Sequence, residues 1–427
     1  MSRAYETIIA GLNSFDPDER RLSVEASVKF GDREEVVDKL IDLLKDRDKG
    51  VRDAVANALV LIASEFEKSK KKIIKGICSL IQCEDIGLKN LSAELIFKIG
   101  KDALDEIKEL ANHRDKDVRK IAVDIIGLLN EKSMFDFLKE KLNDPNPNVI
   151  TSAIEAIGNI GDDSAIEVLI DSFSKFEFAQ IQIIESLGKI GEKVKDKKII
   201  CDFLMETFES SDDPILKSAV VEALGKVGDE SHINFLMDLT LNQNIAIQKM
   251  AIVSLVEICA RLDCKLNANK YFFKSFFKQG VEIFFEMNEP EFKIKFLNFA
   301  SKWIKFDEVK SFILSLIDGN EKISEKVFEI ARANAKDLIS FSLKNSIESE
   351  KFINLIEAIL CDAEKVFENI ELKKAVLQKL TELFYEADIE RKIMILNLLS
   401  SLDEIEFMKL LNESQDDPIL KMYFGLV

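Results

Sequence analysis

The sequence predicts an all-α chain folded as an α-α superhelix, a solenoid of about twelve stacked helical hairpins. Three observations carry that prediction. Apolar residues at helical spacing recur in copies that start about 30 to 37 residues apart. All six prolines (Pro17, Pro145, Pro147, Pro214, Pro290, Pro418) fall just before or within the first turn of the first helix of a copy. There the missing N–H costs nothing and the fixed φ already suits a helix. Finally, six Pro and 16 Gly in 427 residues are too few for the turns of a β-sandwich or barrel, while 47% apolar content excludes a disordered chain.

The copies in order are 16–31, 48–63, 84–100, 115–130, 146–161, 175–191 and 212–228. Val51, Ala54, Val55, Ala58, Leu59 and Ile62 show the spacing of a buried helical stripe. Asp16, Asp144 and Asp213 precede prolines and are expected to cap helix amides. Gly31, Gly100, Gly161, Gly191 and Gly228 are expected to close first helices in a left-handed conformation. Ala58, Ala93, Ala122, Ala156 and Ala223 sit mid-helix, where a small side chain permits close approach of the next hairpin. A second apolar helix follows each first one, as in VVDKLIDLL (36–44), ALDEIKELA (103–111) and MFDFLKEKL (134–142). One hairpin cannot bury its own apolar face, so the copies must stack.

These copies resemble HEAT repeats, in particular the short PBS-lyase HEAT-like subtype. Asp48, Val51 and Arg52, and again Asp115, Asp117, Val118 and Arg119, match the HEAT Asp/Val-Arg signature; the endings Ala153–Gly161 and Ala219–Gly228 match the short subtype. The resemblance spans about residues 14–260. It implies a solenoid whose second helices line a concave, partner-binding side. The signature Arg is missing from the later copies, so stacking by an Asp/Arg pair is not expected throughout.

Past Leu262 the register fades, and the expected organisation is regular repeats over 1–264 and divergent hairpins over 265–427. Phenylalanine concentrates there, with 18 of 30 beyond Lys265. Helical spacing continues through 271–287, 291–304, 307–317, 323–335, 351–360, 372–384 and 389–399. The segment 416–421 repeats 212–217 almost letter for letter, which predicts a closing half-repeat whose Phe424–Val427 end is a buried cap or an interface.

The charge balance, 77 acidic against 59 basic residues for a net −18, opposes general phosphate binding. The first residues lack the apolar core of a signal peptide, and no run approaches a membrane span. Six cysteines follow no framework spacing, and most sit at apolar helix positions. A reduced, cytoplasmic protein is expected.

The sequence offers no catalytic constellation, so a non-enzymatic protein without cofactor or metal is expected. His113 and His232 are far apart, and a solvated or capping role suits each. Deoxyhypusine hydroxylase, a HEAT relative, binds iron through His-Glu pairs; here Arg114 and Ile233 follow the histidines. Cys78/Cys83 and Cys259/Cys264 find no further ligands to complete a zinc site. A nucleic-acid groove, as in HEAT-like DNA glycosylases, needs a continuous basic stripe. Lys68, Lys70, Lys71 and Lys72 are expected in the turn of the second hairpin and Lys193, Lys195, Lys197 and Lys198 in that of the sixth, but Asp162, Asp163, Asp229 and Glu230 hold the equivalent turns.

The acidic residues do form a pattern. Aligned second helices put Asp38, Asp105, Asp136, Glu167 and Asp202 in one column and Asp42, Glu109, Glu140, Asp171, Glu206 and Asp238 in another, four residues on and so on the same helix face. Lys75 and Ser79 interrupt it. The bland reading is a solvated helix face; the functional one is a groove for a basic helix or tail of a partner protein. Phe272, Phe273, Phe276, Phe277, Phe284 and Phe285 form a second candidate, either core at a register break or an apolar interface. The function expected is a protein–protein scaffold or adaptor, as in bacterial signalling or assembly complexes. The rivals are a bilin-lyase-like or other small-ligand protein, which the subtype resemblance implies, and a nucleic-acid binder.

Overall fold

A computed structural model describes residues 2–266, 269–317, 321–360, 363–414 and 417–424. Every regular element among them is helical. The chain divides into two compact units, Met1–Val227 and Gly228–Val427. The change in sequence character at 264/265 falls inside the second.

Unit 1 contains α1 (Ser2–Leu12), α2 (Pro17–Ser27), α3 (Glu34–Leu43), α4 (Lys49–Glu65), α5 (Glu67–Ile81), α6 (Ile86–Ile99), α7 (Leu104–Leu110), α8 (Lys116–Leu129), α9 (Phe135–Lys141), α10 (Pro147–Ile160), α11 (Asp163–Phe173), α12 (Gln180–Lys193), α13 (Lys198–Ser210) and α14 (Pro214–Val227). The even-numbered helices from α2 to α14 form one row, the odd-numbered ones from α3 to α13 the other. Within the first row α8, α10, α12 and α14 pack closely in succession, and small residues set the distance. A Cβ on Gly127 would lie 2.7 Å from that of Ala156, and one on Gly158 2.6 Å from that of Ser186. Ala156 and Ala223 thus stand where the repeat pattern required small residues. Val55, Leu59, Val123, Ile126, Ile157, Leu187 and Leu224 fill the space between rows with no exposure. Each such side chain contributes roughly 1.5–3 kcal/mol by leaving water.

The helix starts follow the sequence closely. Pro17, Pro147 and Pro214 open helices, and Asp16 and Asp213 accept from the amides of Asp18 and Ile215. Three expectations need correction. Asn146, not Asp144, caps α10. Left-handed closure occurs in this unit at Gly161 and, unforeseen, Asn130; Gly100 has a positive φ but extended ψ, Gly31 is right-handed, Gly191 lies inside α12 and Gly228 has no positive φ. Lys68, Lys70, Lys71 and Lys72 belong to α5 itself, because only Phe66 separates α4 from α5.

Unit 2 contains α15 (Ile233–Leu239), α16 (Ile245–Arg261), α17 (Lys270–Glu286), α18 (Pro290–Ser301), α19 (Asp307–Ser315), α20 (Glu321–Ala333), α21 (Ala335–Asn345), α22 (Ser349–Ile359), α23 (Ala363–Val366), α24 (Ile370–Glu386), α25 (Ile389–Leu402), α26 (Glu404–Glu413) and α27 (Pro418–Tyr423). Here α16, α18, α20, α22 and α25 pack in succession, and α19, α21 and α24 do likewise. The two-row scheme therefore persists after the glycine punctuation has gone. Residues 425–427, for which a cap or interface was expected, lie outside the described residues.

Candidate functional site

Each second helix of unit 1 pivots on one fully buried residue: Leu40, Ile77, Ile107, Leu138, Leu169 and Leu204 are all 0% exposed. At about 100° per residue, positions two before and two after that pivot both point away from the core, some 40° apart. Those positions hold Asp38 and Asp42 on α3, Asp105 and Glu109 on α7, Asp136 and Glu140 on α9, Glu167 and Asp171 on α11, and Asp202 and Glu206 on α13; all ten are exposed. Each helix thus presents its two acids together on its outer face. In unit 2, Asp238 occupies the same place relative to buried Leu236 on α15, with Asn234 as its companion.

Among the described residues, the one ion pair to these ten acids is that of Asp38, at one end of unit 1. Around the pivot Ile77, α5 carries Lys75 and Ser79 instead of acids. The Lys72 ammonium donates to Asp38 at 2.8 Å and approaches Glu34 at 3.3 Å. Lys68, Lys71, Lys72 and Lys75 line a cavity of about 800 Å³ with Asp38 and Asp42. Among the described residues no Lys or Arg forms an ion pair with Asp105, Glu109, Asp136, Glu140, Glu167, Asp171, Asp202 or Glu206.

Of the two readings of the Phe-rich stretch, core packing holds for four of its six rings. Phe273, Phe276, Phe277 and Phe284 are at most 3% exposed. Phe273 stacks on Trp303 and Phe306, with centroids 4.5 and 4.8 Å apart, while Phe277 and Phe284 meet Phe312 edge-on. These four are core of unit 2 and unavailable for docking. Phe272 is half-buried, and of the six only Phe285 is exposed.

Both histidines make local turn contacts. His113 Nδ1 accepts from the Asp115 amide at 3.1 Å, and His232 closes a capping box with Asp229. Cys78 is buried among apolar groups, and burial pushes its thiol up to about 12, far from a reactive thiolate. Cys259 is buried likewise, its thiol raised by burial and by Cys264 3.6 Å away. Among the described residues no His/Cys/Asp/Glu group is arranged to hold a metal. No described helix is long and apolar enough to cross a membrane.

The sequence pattern picked out signature arginines but missed the acids through which they tie one hairpin to the next. Arg119 on α8 donates from Nε and Nη2 to both carboxylate oxygens of Asp144, each at 2.8 Å, and from Nη1 to the carbonyls of His113 and Arg114. Arg20 holds Asp46 in the same way at 2.8 and 2.9 Å. The signature acids Asp48 and Asp115 only cap their own helices. Burial alone would raise the Asp144 carboxyl, but the Arg119 bonds and the Asn146 amide outweigh it and hold it below its ordinary range. Asp46 is lowered by the same balance.

Residues 5–75 and 104–188 match the family profile of HEAT repeats, and the arginine rungs join the repeats there. A chain from the structure of Kap95p with RanGDP superposes with a TM-score of 0.52 at 12% identity, over 97% of this chain and 64% of that one. Yeast importin-beta (Kap95p) gives 0.46 at 14% identity, over 93% and 63%. The first likeness shows the all-α superhelical HEAT fold and nothing further. A protein of Pseudanabaena tenuis described as an uncharacterized phycocyanin operon protein Y is 27% identical over 143 residues, which is 33% of each chain.

Proposed function

We propose that this HEAT-repeat chain is a non-catalytic scaffold that binds a basic helix or tail of a partner protein along the acidic outer face of α7, α9, α11 and α13. It would act in the cytoplasm, with its second helices lining the concave side. The observation that carries this reading is the row of eight exposed carboxylates, paired on successive helices and free of intramolecular ion pairs among the described residues. A preformed rigid face loses little entropy on binding, and a run of like charge steers an oppositely charged partner and fixes its register. The likeness to Kap95p in complex with RanGDP supports protein binding on such a fold.

The test uses the tagged chain as bait beside a variant with Asp105, Glu109, Asp136, Glu140, Glu167 and Asp171 changed to Asn or Gln. A partner released by high salt and lost by the variant is expected; one retained by both refutes the assignment.

The likeness to the phycocyanin operon protein favours a second reading, a PBS-lyase-type protein that holds a bilin or other small ligand. Visible absorbance co-purifying with the chain from a pigment-producing host would support it. A colourless protein that binds no added bilin would exclude the bilin.

A further inference from the structure

The arginine rungs follow one template. Asp46 and Asp144 each stand two residues before the N-cap of a first helix, and each carboxylate takes three donors. For Asp46 these are Arg20 Nε and Nη2 from the preceding repeat, at 2.8 and 2.9 Å, and the N-cap amide of Asp48, at 2.9 Å. For Asp144 they are Arg119 Nε and Nη2, both at 2.8 Å, and the Asn146 amide at 2.9 Å.

Arg52 on α4 is oriented for a third rung. Its Nη1 donates to the carbonyls of Asp46 and Arg47 at 2.7 and 3.1 Å, as that of Arg20 does to Ser14 and Phe15 at 2.8 and 3.0 Å. That attitude turns Nε and Nη2 toward the start of α6, whose N-cap is Asp85. The residue two before Asp85 is Cys83, not an acid; its thiol turns to the Asp85 carbonyl at 3.5 Å. Among the described residues neither Arg52 Nε, Arg52 Nη2 nor the Asp85 amide has an acceptor. Arg52 and Cys83 line one cavity of about 520 Å³, shared with Leu44, Asp46, Asp85 and Leu88. Of the three acids in that lining, Asp46 is engaged by Arg20 and Asp85 by the Leu88 amide, while Glu84 is exposed and makes no ion pair among the described residues.

We propose that this cavity is a binding site for a carboxylate group, which lies bidentate on Arg52 and accepts from the Asp85 amide, in the pose that Asp46 and Asp144 adopt in their own rungs. Planar forked recognition of carboxylate is the chemistry that guanidinium serves best. The carboxylate belongs either to a small free acid or to an acidic side chain of a peptide. This inference is independent of the acidic face described above, which lies on the other row of helices.

The test follows the Arg52 Nε–Hε resonance by NMR, assigned with R52Q, during titration at constant ionic strength with acetate or with the blocked tripeptide acetyl-Ala-Asp-Ala-amide. A saturable shift toward the Arg20 and Arg119 resonances is expected. Response to acetate makes the site one for small acids; response to the tripeptide alone makes it one for acidic side chains. The variant C83D supplies the carboxylate from the chain itself. Its Arg52 resonance should start at the shifted position and ignore both probes. An Arg52 resonance in the unsubstituted chain that responds to neither probe up to about 100 mM overturns the proposal, as does a C83D resonance that stays where the unsubstituted chain has it.

Discussion

The rung between Arg119 and Asp144 gives the sharpest stability prediction, because its geometry and burial are both defined. The side chains are 12% and 5% exposed and share two charge-assisted bonds of 2.8 Å. Such bonds contribute about 1.5–3 kcal/mol net, and stranding a buried partner costs roughly 3–5 kcal/mol. The lower end applies here, because Arg119 keeps two carbonyls and Asp144 keeps the Asn146 amide when the other is removed. D144A and R119A are therefore each expected to cost about 3 kcal/mol, and the double variant about 4, a coupling of about 2 kcal/mol. Urea unfolding followed by circular dichroism measures this, provided the slope is the same for all four proteins. The coupling should also depend on pH. The folded-state Asp144 carboxyl is lowered from 3.8, so its contribution is complete above 3.8 and is lost as pH falls through the folded value. Single losses below about 1 kcal/mol with no coupling, or a coupling that persists to about pH 2, would refute the reasoning.

Other positions separate close packing from burial and charge. G158A should destabilise by about 1–3 kcal/mol, since the new Cβ meets Ser186 at 2.6 Å, whereas G188A meets Ala223 at 3.4 Å and should be tolerated or slightly stabilising; thermal melts decide. F284A should cost about 3–5 kcal/mol and F285A less than about 1, because the first ring is 1% exposed and the second 58%. Lys141 is 9% exposed, and burial lowers its ammonium below 10.5. The cost of keeping it charged is present below the folded value and is relieved as pH rises from there to 10.5. K141M should therefore be within about 1 kcal/mol of the parent at pH 7, with any advantage shrinking at alkaline pH, as urea melts at both pH values would show.

Periodicity made the two-row architecture legible, because a helix must place its apolar stripe at fixed spacing whatever its neighbours. The prolines were equally informative, since the chemistry of the first turn is local. Glycine was a poorer guide: Gly191 looks like Gly161 in sequence but stays helical in α12, while Asn130 took the left-handed position instead. The helix α21 escaped notice because its apolar spacing follows α20 after only Asn334, with no turn residues between. Asp46 and Asp144 were illegible as rung partners because their arginines stand 26 and 25 residues earlier. Only the fold brings them together. The outward direction of the acidic pairs was readable, since a buried leucine or isoleucine two residues away fixes it; whether intramolecular cations reach them was not.

The central claim is that a partner's basic residues lie on the carboxylates of α7, α9 and α11. Zero-length carbodiimide cross-linking of the captured complex, mapped by mass spectrometry, addresses that directly, because it joins only ammonium and carboxylate groups already in contact. Cross-links from partner lysines to Asp105, Glu109, Asp136, Glu140, Glu167 and Asp171 are predicted, and they should vanish at high salt, where charges more than about 3 Å apart are screened. Cross-links that fall elsewhere on the chain, with these six carboxylates unmodified by the partner, would contradict the account.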